Sequence, residues 1–234
     1  MPNRFNRTVE LVSKLPVGVR KPIIHNVLKT AIKYHADLKV TGREHLKQRM
    51  GKPTIYIANH LSNIDAPVLN LYLKPYKATF VAGVKLNDVT VTRYIMETLS
   101  TISINPGTPD KQAIKNCVAL LKSGGSLVIF PEGTRSRSAA MSEAKKGFVL
   151  LARLSGASIM PIALEGTEVL LPINDSNMGR EKLHKATVHV KFGEAFTLPD
   201  KRKVQVEDFN RYAADFCMGK IAELMSPRYR GHYS

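Results

Sequence analysis

The sequence predicts an α/β fold: a mixed, largely parallel sheet flanked by helices, with an N-terminal amphipathic helical region in front of it. Three observations carry this prediction. Short apolar or β-branched runs are bounded by Gly, Pro, Asn or charge, and stretches with helical spacing separate them. With 44% hydrophobic residues, a 234-residue chain can also bury a core of ordinary size.

In chain order, strands are expected at 54–58 (TIYIA), 78–82 (ATFVA), 101–104 (TISI), 127–130 (LVIF), 158–164 (SIMPIAL) and 187–192 (TVHVKF). Helical spacing marks 65–73, 89–99, 110–122 and 143–155, and a last helix near 206–225 follows the turn signal Leu198, Pro199 and Asp200. Asp65 and Asp110 are residue types that cap or begin a helix. Because strand and helix alternate, the strands should run largely parallel.

The first 52 residues differ in character. Twelve Lys and Arg are opposed there by Glu10, Asp37 and Glu44, so 12 minus 3 puts +9 of the chain's formal +16 in this stretch. Ile23, Ile24, Val27, Leu28, Ala31 and Ile32 repeat at helical spacing, Lys21, Lys29 and Lys33 lie off that face, and Pro22 suits a first helical turn. Such a helix can pack its apolar stripe on the core, or lie in an anionic bilayer surface where apolar burial and charge attraction add. The two readings are compatible.

Thirty-five Lys and Arg against 19 Asp and Glu point to an anionic partner: membrane lipid, nucleic acid or a phosphorylated metabolite. Nucleic acid is not expected, because no recognised module is visible and the eight Tyr and eight Phe form no stacking platform. Cys117 and Cys217 lie far apart in helical segments, which fits a reducing compartment or simple core packing. No apolar run reaches the ~18 residues of a membrane span. His184 and His189 have no acidic or cysteine companions, so no metal is expected, and SGGSL at 123–127 is a turn, not a GxSxG nucleophile elbow. No phosphate-loop GxxxxGK[ST] is present either.

Chemistry concentrates in two stretches. In NHLSNIDAP a strand runs into His60, and a helix begins near Asp65, which brings both side chains to one end of the sheet, where open α/β folds collect ligands. A carboxylate on one ring nitrogen fixes the tautomer and leaves the other nitrogen free to take a proton, although capping alone would explain the same spacing. In LVIFPEGTRSRS, residues 127–138, a strand opens into a loop where Gly133 permits close backbone approach to a ligand. Arg135 there can grip phosphate by two parallel hydrogen bonds, and Arg137 adds charge.

Together, some seventy residues apart and in this order, the two stretches resemble the motifs NHxxxxD and FPEGTRS of the glycerophosphate (lysophospholipid) acyltransferases, typified by 1-acylglycerol-3-phosphate acyltransferase. Asn59, His60 and Asp65 match the first motif, and Phe130 through Ser136 match the second. The resemblance extends from about Lys39 to Phe196 and includes the proline-containing strand at Pro161. It implies acyl transfer from acyl-CoA or acyl-carrier protein to a glycerol hydroxyl of a phosphate-bearing lysophospholipid, with these thioesters as co-substrates and no cofactor.

On that resemblance His60 is the general base and Asp65 its orienter. Glu132, Gly133, Thr134 and Arg135 belong to the acceptor-phosphate site, with Glu132 positioning the loop or the arginine. Lys85 and Arg137 are candidates for an oxyanion or acceptor contact. The family's arginine after the following strand is replaced here by Asn105-Pro106. The expected organisation is a basic amphipathic membrane-docking region at 1–36 and an acyltransferase domain at 37–234, peripheral on the cytoplasmic face of a membrane. The rival from another class is an idle lipid-phosphate-binding module, against which stands the retention of both His60 and Asp65.

Overall fold

A computed structural model describes residues 12, 15–83, 96–105, 110–174 and 181–234. Among these residues one sheet holds β1 (Ala36–Thr41), β2 (Thr54–Ala58), β3 (Ala78–Gly83), β4 (Thr101–Ile104), β5 (Ser126–Ile129), β6 (Ser158–Glu165) and β7 (Ala186–Phe192). Their spatial order is β1-β7-β6-β2-β5-β3-β4. Every neighbouring pair is parallel except β6 with β7, so β1 and β7 run against the other five.

The central strands explain their own composition. All five residues of β2 and all four of β5 are buried, as expected where helices cover both faces of a parallel sheet. Successive side chains alternate between two cores. Ile55 and Ile57 join one, with α4 (Lys111–Lys122), α5 (Gly147–Ser155) and α7 (Phe209–Ala222). Tyr56 and Ala58 join the other, with α1 (Val17–His35) and α3 (Asp65–Leu73). The remaining helical turns are α2 (Arg43–Lys47), α6 (Thr167–Leu170) and α8 (Pro227–Arg230).

Several boundaries differ from expectation for identifiable reasons. Strand β1 was not foreseen: it is an edge strand whose inward positions alternate with Asp37, Lys39 and Thr41, inside a stretch dominated by charge. It is fixed by its turn, where Gly42 at φ +72° passes so close to β7 that a Cβ there would lie 1.8 Å from the Phe192 carbonyl oxygen. Helix α5 starts at Gly147 and not at 143, because the Lys145 N–H donates to the Pro131 carbonyl (2.8 Å) and holds the preceding residues in a loop. Phe130 leaves the strand expected to include it. Pro22 sits inside α1, beyond its first turn, since the helix already begins at Val17. Of the helix expected at 89–99, only 96–99 fall among the described residues.

The apolar stripe of α1 is largely turned inward. Ile24 (1% exposed), Leu28 (4%) and Ile32 (0%) are buried, while Leu15, Val17 and Val19 stay exposed together with Lys21, Lys29 and Lys33. Ile32→Ala should therefore cost about 2–5 kcal/mol, the range for truncating a buried aliphatic residue. Val19→Ala should be near neutral, because the side chain is exposed. Urea unfolding of the two variants measures this difference, and equal small effects would show that α1 is not part of the cooperative core.

Candidate active site

Strand β2 lies parallel between β5 and β6, so its C-terminal end opens beside the ends of both. Asn59, the first residue past β2, is fully buried and behaves as an extra sheet residue. Its side-chain amide donates to the Leu164 carbonyl (2.9 Å), and its carbonyl oxygen accepts from Leu164 N–H (2.8 Å). The chain is thus held to β6 just where it turns toward His60.

Asp65 is the first residue of α3, and its carboxylate serves the turn before the helix. One oxygen, Oδ2, accepts from the backbone N–H of Leu61 (2.7 Å) and of Ser62 (2.8 Å) and meets His60 Nδ1 at 2.7 Å. Asp65 is fully buried and the His60 side chain is 21% exposed. A carboxylate oxygen facing three nitrogens acts as an acceptor, so Nδ1 donates to it and Nε2 is the ring nitrogen that Asp65 does not engage. Phe130 stacks on the imidazole with centroids 4.2 Å apart and planes inclined by 20°, which fixes the plane of the ring.

The FPEGTRS loop clamps the main chain of His60 from both sides. The His60 N–H donates to Glu132 Oε1 (2.8 Å), and the His60 carbonyl accepts from Ser136 N–H (2.8 Å). Glu132 is 2% exposed, and its other oxygen accepts from Ser142 N–H (2.9 Å) and from the Ser142 hydroxyl (2.7 Å). Burial raises the Glu132 pKa above its ordinary 4.5, with the donors from Ser142 and His60 pulling it back. This carboxylate positions the histidine and the loop together.

Residues 226–234 brace the segment that carries Ser142. Met141 N–H donates to the Tyr229 carbonyl (2.9 Å), and the Met141 carbonyl accepts from His232 N–H (3.0 Å). Ala144 N–H donates to the Tyr233 hydroxyl (2.9 Å).

The remaining expected site residues fall into place unevenly. Gly133 and Thr134 are exposed, Arg135 is half-buried and Arg137 is exposed at the end of the same loop. Gly133 has φ +69°, and the space its missing side chain leaves is filled by the Lys145 side chain. Lys85 lies outside the described residues. Ser142 and Lys145 were not foreseen: both sit in the polar stretch MSEAKK, where no spacing distinguishes them from a solvated loop. Among the described residues no three His, Cys, Asp or Glu side chains gather as a metal site needs.

The fold and site define an α/β protein with a carboxylate-oriented histidine at the sheet end, facing a glycine- and arginine-containing loop. Residues 37–165 match the Acyltransferase family, over half of the chain, and the chain belongs to that family. It is similar to a chloroplastic 1-acyl-sn-glycerol-3-phosphate acyltransferase of Arabidopsis thaliana, with 30% identity over 137 residues, or 58% of this chain and 38% of that protein. A 1-acyl-sn-glycerol-3-phosphate acyltransferase of Limnanthes douglasii is 28% identical over 83% of this chain and 66% of its own length. One of Bacillus subtilis is 24% identical over 72% and 78% respectively. The chain spans less than two thirds of the plant relatives' length. The crystal structure of the 1-acyl-sn-glycerophosphate acyltransferase PlsC from Thermotoga maritima shares the fold, with a TM-score of 0.61 at 21% identity across 94% of this chain and 88% of that one.

Glu132→Gln should separate positioning from bulk. The amide keeps one acceptor oxygen but turns an NH₂ group toward a backbone N–H, so a stability loss of about 1–3 kcal/mol is expected, together with a lower kcat from a displaced His60. The raised Glu132 pKa also sets a sign. The folded chain binds that proton more tightly than the unfolded one, so this contribution to stability is full below pH 4.5 and is lost as pH rises through the raised value. Wild type should therefore gain on Glu132→Gln as pH falls through that window, and thermal melts across it test the sign.

Proposed function

We propose that this chain transfers a fatty acyl group from an acyl thioester, acyl-CoA or acyl-carrier protein, to the free hydroxyl of 1-acyl-glycerol-3-phosphate, giving phosphatidate in phospholipid biosynthesis. The observation that carries this reading is the His60–Asp65 pair, with Nδ1 tied to a buried carboxylate and Nε2 left open beside the FPEGTRS loop. A binding module has no use for that arrangement. The names of the relatives support the acceptor.

His60 Nε2 takes the proton of the acceptor hydroxyl as its oxygen attacks the thioester carbonyl, so the substrate supplies the nucleophile and no enzyme serine or cysteine is needed. Asp65 offsets the imidazolium charge that forms, as the buried aspartate does in the serine-protease triad. Collapse of the tetrahedral intermediate breaks the carbon–sulfur bond, and the imidazolium proton passes to the departing thiolate. Arg135 is the phosphate ligand on the loop that clamps His60, so the loop holds acceptor and base in one frame.

Lysophosphatidate and phosphatidate are bilayer lipids, so the enzyme acts as a peripheral protein on the cytoplasmic face. No helix among the described residues is long and apolar enough to cross a membrane. With Ile24, Leu28 and Ile32 buried in the core, docking falls to the exposed residues of α1: Val17, Val19, Lys21, Lys29 and Lys33. Arg20 is engaged by Glu97 (2.9 Å) and stands apart from that surface.

His60→Ala should lower kcat by roughly 10²–10⁴-fold in a folded protein, the usual range for a general base, and Asp65→Asn should not be neutral. Arg135→Lys should raise the acceptor KM much more than the donor KM. Assays with lysophosphatidate and other lysophospholipids against acyl-CoA and acyl-carrier protein test the substrate pair. A folded His60→Ala enzyme with wild-type kcat would overturn the mechanism.

For docking, each lysine near an anionic surface is worth about 1 kcal/mol, and added salt screens it. Vesicle sedimentation of Lys21→Glu/Lys29→Glu/Lys33→Glu should show binding lost at low salt. Undiminished binding would move the docking surface elsewhere.

A further inference from the structure

A phosphate monoester carries close to two negative charges at neutral pH, whereas a single guanidinium supplies one positive charge. Besides Arg135 and Arg137, the loop is met by a further cation from outside its own segment. Lys145 is anchored to this loop twice. Its backbone N–H donates to the Pro131 carbonyl (2.8 Å), and its side chain runs across Gly133. A Cβ built on Gly133 would lie 2.9 Å from Lys145 Cδ and Cε and 3.0 Å from Nζ. The glycine therefore accommodates a lysine stem lying flat on the loop, and the ammonium stays at the solvent face, where both residues are exposed.

The surrounding acids are committed elsewhere. Glu132 is saturated by His60 N–H and Ser142, and Glu143 pairs with Arg211 (2.8 Å). The adjacent Lys146 pairs with Asp208 (2.7 Å). Among the described residues Lys145 has no ion-pair partner, so of two neighbouring lysines one is paired with an acid and the other lies along the loop without one. A positioned ammonium is a strong hydrogen-bond donor to an anionic oxygen.

We propose that Lys145 is a second cationic ligand of the acceptor's phosphate monoester, approaching from the Gly133 side of the loop while Arg135 binds from within it, and that it sets the preference for phosphate-bearing acceptors. This rests on the reading of the loop as the acceptor-phosphate site. Lys145 has no part in the proton transfer at His60, so its loss acts on acceptor binding.

The test is steady-state kinetics of the full chain with lysophosphatidate in mixed micelles and acyl-CoA or acyl-carrier protein, whichever supports turnover. Lys145→Met, Lys145→Arg, Lys146→Met and Arg135→Lys are compared with wild type, and melting temperatures establish that each is folded. Loss of a charged hydrogen bond predicts an acceptor KM raised about tenfold in Lys145→Met. Its kcat and donor KM should stay near wild type. Lys145→Arg should recover most of the loss, and Lys146→Met should match wild type. An unchanged acceptor KM in Lys145→Met beside a raised one in Arg135→Lys overturns this inference and leaves the loop's role intact. No change in either variant overturns both. A rise confined to the donor KM assigns Lys145 to the thioester carrier and overturns the inference as well.

Discussion

The hydrogen bond from His60 N–H to Glu132 Oε1 joins residues 72 positions apart, and the arrangement of the site follows from it. It is possible because β2 and β5 are parallel neighbours, with Ile57 opposite Ile129, so that the chain leaves both strands at the same end and at the same height. A parallel pair needs a crossover between its strands, and α3, β3, β4 and α4 are that crossover. The return of Ser136 N–H to the His60 carbonyl then makes the loop a continuation of the ladder. The histidine is fixed through its peptide groups independently of the contacts its ring makes.

The ring is governed by a different logic. Asp65 gathers three nitrogens on one oxygen, while its other oxygen is buried without a hydrogen-bond partner. The carboxylate is thereby held away from water and aimed at the imidazole. Glu132 is buried as well, but its bonds go to main-chain groups and a serine hydroxyl. One carboxylate therefore meets the imidazole and the turn behind it, and the other ties the backbone of His60 to the loop, although the sequence presents both as single acids in short motifs.

What could be read from the sequence follows the range of the interactions involved. The central strands were legible because burial on both faces makes them continuously apolar, and the His60–Asp65 pair was legible because five residues separate its members in one turn. Strand β1 was hidden by its charged outward positions and by a partner, β7, roughly 150 residues away. Ser142 and Lys145 carry no local pattern, since what gives them importance is the fold of 139–146 against Pro131 and Glu132. The inward turn of α1 could not be separated from membrane docking by periodicity, because an amphipathic stripe looks alike whether it meets a core or a bilayer.

The brace formed by residues 226–234 bears on the order in which the molecule comes into being. Ribosomes deliver the chain from its N-terminus, so both motifs are exposed to the cell long before Tyr229, His232 and Tyr233 exist. Until those residues arrive, Met141 and Ala144 lack the partners that hold Ser142 against Glu132. A nascent chain thus carries both motifs before it carries the residues that brace Ser142 against Glu132.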